Sequence, residues 1–166
     1  MKALSADAIR ELAADIEVEL ARLSQLEQEI YRVQDEIARD PARQDLFYEN
    51  LALKLHNFYT GCEKVLQLVA VELNGGLPTG ADWHKRLLDR MSQDREGRPA
   101  VLTRATAGSL QEFLGFRYIV RNLYGFELEP ERIAALVKGY PAVWSSVKKD
   151  MEAFVSWLRA LAAEIT

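Results

Sequence analysis

Apolar residues recur every three or four positions along the first forty residues of the chain, which is the period of an amphipathic α-helix. The segment ends at Asp40-Pro41, because a residue that precedes proline is disfavoured in the helical conformation. Ser5 stands at the N-cap position, where its hydroxyl can accept a hydrogen bond from the first turn. At about 1.5 Å per residue, the predicted helix is about 50 Å long. Its heptad-like stripe consists of Ile9, Leu12, Ile16, Leu23, Leu26, Ile30, Val33 and Ile37.

The same period continues in a second segment, from about residue 42 to Leu73. Asn74-Gly75-Gly76 follows, and glycine readily adopts the left-handed conformation that ends a helix. We therefore expect a second long helix, antiparallel to the first across the short break at Pro41. Its apolar face consists of Leu51, Leu55, Phe58, Cys62, Val65, Val69 and Leu73.

Two shorter helices are predicted in the middle of the chain. Asp82 can cap the first of them. Residues 93–99 are charged and end in a Gly-Arg-Pro sequence, which predicts an exposed connection. The next helix begins at Thr103 or Thr106 and is stopped by Gly125.

The last segment predicts a helix that begins at Pro130, since proline fits the first turn of a helix. Pro141 lies within this segment, and we expect it either to kink the helix or to split it in two. No segment alternates apolar and polar residues as a half-buried strand does. The sequence therefore predicts an all-α, up-and-down helical bundle of four to five helices, of which the first two are long. We expect a single domain over residues 1–166.

Composition narrows the class of protein. Hydrophobic residues make up 49% of the chain and charged residues 28%, the balance of a globular protein. No apolar run is long enough to span a membrane, and the first turns offer no signal peptide, so we expect a cytoplasmic protein. One cysteine, Cys62, and two histidines give too few ligands for a zinc site, so we expect no metal and no cofactor. The first helix is longer than a compact bundle needs. Its apolar stripe could continue into a second subunit, so we expect a homodimer.

Charge is distributed unevenly along the chain. The net charge of −4 does not indicate a general nucleic-acid binder. Residues 1–40 hold five basic and ten acidic side chains, whereas residues 82–104 hold six basic and four acidic ones. A polyanion would therefore bind to the middle of the chain.

The stretch Gly115–Gly125, GFRYIVRNLYG, holds two arginines and two tyrosines with no acidic residue. Read as a helix, Arg117, Arg121 and Tyr124 fall at i, i+4 and i+7, so their side chains share one face. The planar guanidinium matches the geometry of phosphate, so this face is a candidate anion-binding surface. The alternative is an ordinary amphipathic helix whose arginines extend from the rim of a core.

The longer block FRYIVRNLYGFELEPER, Phe116–Arg132, resembles the signature region of HepT-like proteins in the HEPN superfamily. The motif of that family runs arginine, four residues, histidine, one residue, tyrosine. Arg117 matches the arginine, Asn122 occupies the histidine position and Tyr124 matches the tyrosine. The stretches LHNFYTGCEKVL and PTGADWHKRLL, which precede the block, are also similar to the family.

The resemblance implies a HEPN-like bundle that dimerises, so that the arginine motifs of two chains face one cleft. It implies a toxin of a type II toxin–antitoxin system that cleaves RNA as a metal-independent endoribonuclease. The partner would be an MNT-type nucleotidyltransferase antitoxin, which silences the toxin by adenylylation of the motif tyrosine. Arg117 would bind and polarise the scissile phosphate, Arg121 would be a second RNA-binding residue, and Tyr124 would be both a site residue and the modification target.

The departure from the family motif lies at Asn122. Metal-free RNA cleavage needs a group that takes the proton of a 2′-hydroxyl, and histidine suits this role because it titrates near neutrality. Asparagine does not titrate and can only orient a substrate by hydrogen bonds. If Asn122 replaces the base, activity should fall by the roughly 10²–10⁴-fold that a general base contributes.

Few other side chains could serve as the missing base. His84 and His56 are the only imidazoles, and a histidine in such a setting is more often structural than catalytic. The phenol of Tyr118, with an ordinary pKa of about 10, is a poor base at neutrality. Tyr59 and Glu63, at i and i+4 on the second helix, either line the cleft or brace it.

Two further functions remain open. The first is a non-catalytic helical-bundle binding partner or substrate subunit of a nucleotidyltransferase, which the change of histidine to asparagine favours. The second is a coiled-coil scaffold built on the long first helix. An unrelated enzyme class finds little support, since the chain has no glycine-rich phosphate loop, nucleophile elbow or HExxH motif.

Overall fold

The structure is a computed structural model that describes residues 4–165, so the ends of the predicted domain, residues 1–3 and 166, lie outside the described residues. Five α-helices make up most of this part of the chain, and no β-strand occurs among the described residues. The all-α bundle that the sequence predicts is confirmed. The helices are α1 (Ala6–Arg39), α2 (Gln44–Leu73), α3 (Trp83–Met91), α4 (Arg104–Asn122) and α5 (Pro130–Ile165). Two single-turn 3-10 helices, Pro41–Arg43 and Gly125–Glu127, precede α2 and α5.

Helix α2 is the central element of the bundle. It packs against each of the other four helices, whereas α1 packs mainly against α2 and α5. The short pair α3 and α4 lies against α2 as well as against each other. Because α2 touches every other helix, much of its surface is buried, and a polar side chain on a buried face, such as that of Glu63, needs a partner inside the bundle.

The apolar stripe of α1 is covered within the same chain. Ile9, Leu12, Ile16 and Leu23 are almost completely buried, and Ile30 is fully buried. The later positions of the stripe, Leu26, Val33 and Ile37, are partly buried and pack on the core. A second subunit is therefore not needed to cover this stripe, and the scaffold hypothesis loses the feature that motivated it.

The helix ends agree with the sequence in some places and differ in others. Ser5 and Thr103 are N-caps, and their hydroxyls accept hydrogen bonds from the backbone N–H of Ala8 and Thr106. Asp82 precedes α3 but its side chain makes no capping hydrogen bond, so that expectation was wrong. Helix α4 ends at Asn122, before the predicted stop at Gly125.

Pro141 does not split the last helix, since α5 continues through it without interruption. The ring of Pro141 lies on the exposed side, while Tyr140 and Trp144 beside it are buried. Proline removes one backbone hydrogen bond from the helix. Burial of the aromatic neighbours on both sides offsets that loss, and the helix persists.

The connection between α3 and α4 is organised by the buried Arg98, although the sequence predicted an exposed connection here. Its Nε donates to Oδ1 of Asn74 at 2.7 Å. Its terminal nitrogens donate to the carbonyl oxygens of Gln93, Pro99 and Arg90 at 3.2, 3.0 and 3.4 Å. Burial, together with the nearby positive charges of Arg95 and Arg90, lowers the pKa of Arg98 below its usual range. These bonds tie the end of α3 to the end of α2 and so fix where α3 lies.

Aromatic rings meet at the centre of the core around Phe58 of α2. The centroid of its ring lies 5.2 Å from that of Phe113 and 5.0 Å from that of Tyr140, both edge to face. Trp144 approaches from 6.2 Å in the same arrangement. Such edge-to-face pairs add to the free energy gained from apolar burial. Phe58 thus joins α2, α4 and α5 at one point.

None of the helices in the described part of the chain combines the length and the apolar character needed to cross a membrane.

Replacing Phe58 with alanine should lower the free energy of unfolding by about 3–5 kcal/mol, because the change leaves a cavity where three helices meet. The matched control is Val71→Ala on the same helix, since the Val71 side chain is 54% exposed. The control should stay within about 0.5 kcal/mol of the unaltered chain. Urea denaturation followed by circular dichroism measures both. Equal losses in the two variants would contradict this account of the core.

Candidate functional site

A cluster of polar side chains lies where α2, α3 and α4 meet. Helix α2 contributes His56, Tyr59 and Glu63, which fall at i, i+3 and i+7 and so lie along one side of that helix. Helix α3 contributes His84 near its start, and α4 contributes Arg117. Polar groups in such a position need partners, because an unpaired buried polar group costs free energy.

The closest contact in the cluster joins His84 and Glu63. Nδ1 of His84 lies 2.8 Å from Oε2 of Glu63, and only 12% and 5% of the two side chains remain exposed. The other carboxylate oxygen of Glu63 accepts a hydrogen bond from Nε2 of Gln67 at 3.3 Å. A carboxylate at Nδ1 favours the tautomer that carries its proton there, which leaves Nε2 with a lone pair.

Aromatic rings hold the imidazole of His84 in place. The ring of Trp83 stacks on it with a centroid distance of 3.7 Å and an angle of 28°. The ring of Tyr118 from α4 approaches at 6.3 Å, nearly perpendicular to it. Together with the bond to Glu63, these contacts restrict the ring to one orientation.

Arg117 lies on the other side of the imidazole. Its Nη1 is 3.5 Å from Nε2 of His84, and its Nε is buried with no hydrogen-bond partner among the residues that the structure describes. Within residues 4–165, neither Arg117 nor Arg121 lies within 4.0 Å of a carboxylate, so neither guanidinium is neutralised by an ion pair. A cation that is partly buried and unpaired is suited to bind an anion from solution.

His56 lies close enough to both arginines to feel their charge. Burial lowers the pKa of His56, and the positive charges of Arg117 and Arg121 lower it further. Its Nδ1 is buried and has no hydrogen-bond partner in the described part of the chain. His56 is therefore an uncharged imidazole at neutral pH, without a carboxylate to orient it.

Tyr59 lies on the same side of α2, one turn from Glu63. Its side chain is almost completely buried, and its hydroxyl has no hydrogen-bond partner among the described residues. Burial raises the pKa of Tyr59 well above its usual value, and the negative charge of Glu63 raises it further. Tyr59 therefore stays protonated and braces the floor of the cluster.

Asn122 and Tyr124 lie at the outer end of α4. The amide of Asn122 donates from Nδ2 to the carbonyl oxygen of Tyr118 at 2.7 Å, which satisfies a carbonyl at the end of the helix. The helix ends there, and Leu123 and Tyr124 are extended. Tyr124 is consequently not on a common helical face with Arg117 and Arg121, which corrects that part of the sequence prediction.

Tyr124 itself points into solvent. Its side chain is 73% exposed and stacks on Phe126, which is 82% exposed, with ring planes 5° apart and centroids 5.7 Å apart. Its backbone N–H donates to Oε1 of Glu127 at 3.0 Å, which fixes the turn. The segment passes so close to α2 that a Cβ atom on Gly125 would lie 2.9 Å from Oε2 of Glu49.

The sequence named His84 and His56 only as alternative imidazoles, and the structure brings both close to Arg117. From the sequence, His84 and His56 were expected to be structural, and no local spacing connects Glu63 with His84, since they stand on different helices. Within residues 4–165 there is no group of three or more His, Cys, Asp or Glu side chains that could hold a metal ion.

The Arg117→Ala variant should raise the pKa of His56, because it removes the largest repulsive charge near that imidazole. The chain has only two histidines, so their Hε1 signals can be followed by NMR across a pH titration. Arg104→Ala, which removes the same charge at the far end of α4, should leave the pKa of His56 unchanged. No change in the Arg117→Ala variant would contradict the placement of Arg117 beside His56.

Comparison with protein families gives one match. The family model described as HepT-like protein matches residues 50–158, which is well over half of the chain and includes most of α2 and all of α3 and α4. Comparison with curated proteins and with solved structures finds no significant match. The family match and the bundle described above lead to the same conclusion: the chain belongs to the HepT-like family of the HEPN superfamily.

Proposed function

We propose that this protein is the toxin of a type II toxin–antitoxin system and acts in the cytoplasm as a metal-independent endoribonuclease. Membership of the HepT-like family supports a role related to toxin–antitoxin systems. The observation that carries the ribonuclease proposal is the environment of the Arg117 guanidinium. Its guanidinium is partly buried, has no carboxylate partner within residues 4–165 and lies 3.5 Å from an imidazole nitrogen.

Each arginine has a role in this proposal. Arg117 binds a non-bridging oxygen of the scissile phosphate, where negative charge grows in the transition state. Arg121, exposed on the next turn of α4, contacts a neighbouring phosphate of the RNA backbone. Asn122 lies beside them and orients the substrate through its amide once the bond to the Tyr118 carbonyl is exchanged.

A homodimer would place two such clusters at one cleft. The exposed apolar side chains of Leu123, Tyr124 and Phe126 support an interface at the end of α4, because exposed apolar groups next to one another mark protein contacts. A two-fold axis beside this segment would bring the arginines of the two chains together.

Purified protein without its antitoxin should cleave single-stranded RNA, and the Arg117→Ala variant should lower kcat/KM by about 10²–10³-fold. This is the loss expected when one group that stabilises transition-state charge is removed. Gel separation of end-labelled RNA measures the rate, in buffer that contains a chelator.

The control for that experiment is Arg104→Ala, which removes an equal charge from the first residue of the same helix. Its rate should stay within about twofold of the unaltered chain, because long-range attraction between exposed charges is screened by salt. Equal rates for the Arg117 and Arg104 variants would place the chemistry elsewhere, and no cleavage by the unaltered chain would refute the nuclease.

A second candidate function is a substrate subunit of an MNT-type nucleotidyltransferase, without nuclease chemistry of its own. The exposure of Tyr124 favours it, since a partner enzyme can reach this hydroxyl without unfolding the bundle. In the toxin proposal the same modification silences the site. An adenylyl group on Tyr124 would add a phosphodiester charge near Arg117 and Arg121 and compete with RNA for them.

Incubation with the partner nucleotidyltransferase and ATP should increase the mass of the protein by one AMP, and Tyr124→Phe should abolish the increase. Intact-protein mass spectrometry detects the change directly. Tyr118→Phe is the matched control, because Tyr118 is also an exposed tyrosine of this segment. This variant should still gain the mass of one AMP. An increase that survives in Tyr124→Phe would show that another residue is modified.

A further inference from the structure

We infer that His84 is the general base of the proposed cleavage and that Glu63 is the residue that positions it. This inference rests on the proposed ribonuclease and assigns the group that takes the proton of the 2′-hydroxyl. Asn122 stands where the family motif has histidine, so the motif itself supplies no base.

The first support is the pairing of His84 with a buried carboxylate. Nδ1 of His84 lies only 2.8 Å from Oε2 of Glu63, so its N–H donates a hydrogen bond to the carboxylate. The lone pair of Nε2, on the opposite side of the ring, then points away from Glu63. The carboxylate also stabilises the imidazolium that forms when the base accepts a proton. Serine hydrolases use the same division of labour between a base and the acid that orients it.

The second support is the convergence of His84 and Arg117. Nε2 of His84 and Nη1 of Arg117 are 3.5 Å apart, which is the outer limit of a hydrogen bond and therefore a weak contact. The 2′-hydroxyl and the non-bridging phosphate oxygens belong to one linkage of the RNA chain. A base and a phosphate-binding group must accordingly lie side by side, as these two do. When phosphate oxygens bind Arg117, Nε2 is released to accept a proton.

The cleavage step balances with these groups and one water molecule from the solvent. The 2′-oxygen forms a bond to phosphorus while its proton passes to Nε2 of His84. The bond from phosphorus to the 5′-oxygen of the next nucleotide breaks, and that oxygen takes a proton from water. The products are a 2′,3′-cyclic phosphate and a free 5′-hydroxyl, and His84 afterwards returns its proton to the solvent.

The other candidate bases in the cluster lack one of these features. His56 faces Arg117 and Arg121 but has no carboxylate partner, and its Nδ1 is buried without a bond in the described part of the chain. The buried Tyr59 is held protonated. The side chain of Asn122 donates to its own helix and has no proton acceptor that works at neutral pH.

The experiment compares His84→Gln, Glu63→Gln and His56→Gln with the unaltered chain. His84→Gln should lower kcat by about 10²–10⁴-fold, the usual contribution of a general base. Binding of an uncleavable 2′-O-methyl RNA, measured by fluorescence anisotropy, should change by no more than about twofold, since Arg117 is retained. His56→Gln tests the other imidazole of the cluster and should lower kcat far less than His84→Gln, and a fall as large as that of His84→Gln would overturn the assignment. Arg104→Ala, at the far end of α4, is the control and should leave kcat unchanged.

Two further measurements separate a base from a histidine that only supports the fold. His84→Ala should regain part of its cleavage when imidazole is added to the buffer. Glu63→Gln should lower kcat but change the binding of the 2′-O-methyl RNA by no more than about twofold, because glutamine keeps the volume of the side chain but not the charge that orients the imidazole. The charged and titratable groups that face the His84 ring are Glu63 from α2 and Arg117 and Tyr118 from α4.

The outcomes distinguish the inference from the function on which it rests. If the unaltered chain cleaves RNA in an Arg117-dependent way but His84→Gln keeps its rate, His84 is not the base and the ribonuclease stands. His84 is likewise not the base if imidazole restores no cleavage to a folded His84→Ala chain. If the unaltered chain cleaves no RNA, both the ribonuclease and the inference are overturned.

Discussion

The structure depends on one buried charge. Glu63 stands on the helix that every other helix packs against, and burying a carboxylate without a partner costs several kcal/mol. His84 on α3 and Gln67 on α2 supply its hydrogen bonds. Removing either partner would leave part of the free-energy cost of burying Glu63 uncompensated. The hydrogen bond between Glu63 and His84 therefore fixes the position at which the short helix α3 packs on α2. The site is therefore a consequence of how the bundle satisfies its own interior.

A second set of contacts keeps α3 in that position. Arg98 binds the end of α2 through Asn74 and binds backbone carbonyls on both sides of the α3–α4 connection. The start of α3 is thus held by the Glu63–His84 pair and its end by Arg98. Helix α4 then closes over the imidazole and brings Arg117 to within 3.5 Å of it. Three helices meet at this cluster, and each contributes a different kind of group: an acid, an imidazole and a guanidinium.

The helices could be predicted from the sequence because burial of an apolar stripe is a local, periodic property. The period identified all five. Residue type pointed to Ser5 as an N-cap and to Thr103 or Thr106 as the start of α4, and in the structure Thr103 is the cap. The site could be predicted only where it is local too, as with Arg117 and Arg121 one turn apart. Glu63 and His84 stand on two helices separated by a loop, so no regular spacing in the sequence indicates that they pair. The end of α4 at Asn122 is likewise set by how the following segment packs on α2.

Helix α2 carries both the aromatic centre of the core and the acid of the site, since Phe58 and Glu63 lie little more than one turn apart. Local opening in a protein follows cooperative units, and a segment packed on all sides opens only when the whole molecule does. The buried side of this cluster thus shares the stability of the entire bundle and does not unfold separately from it. Under the proposed function, a restraint on the cluster would have to come from outside the bundle, and the exposed side chains of Tyr124 and Phe126, just past the end of α4, are where a partner could attach.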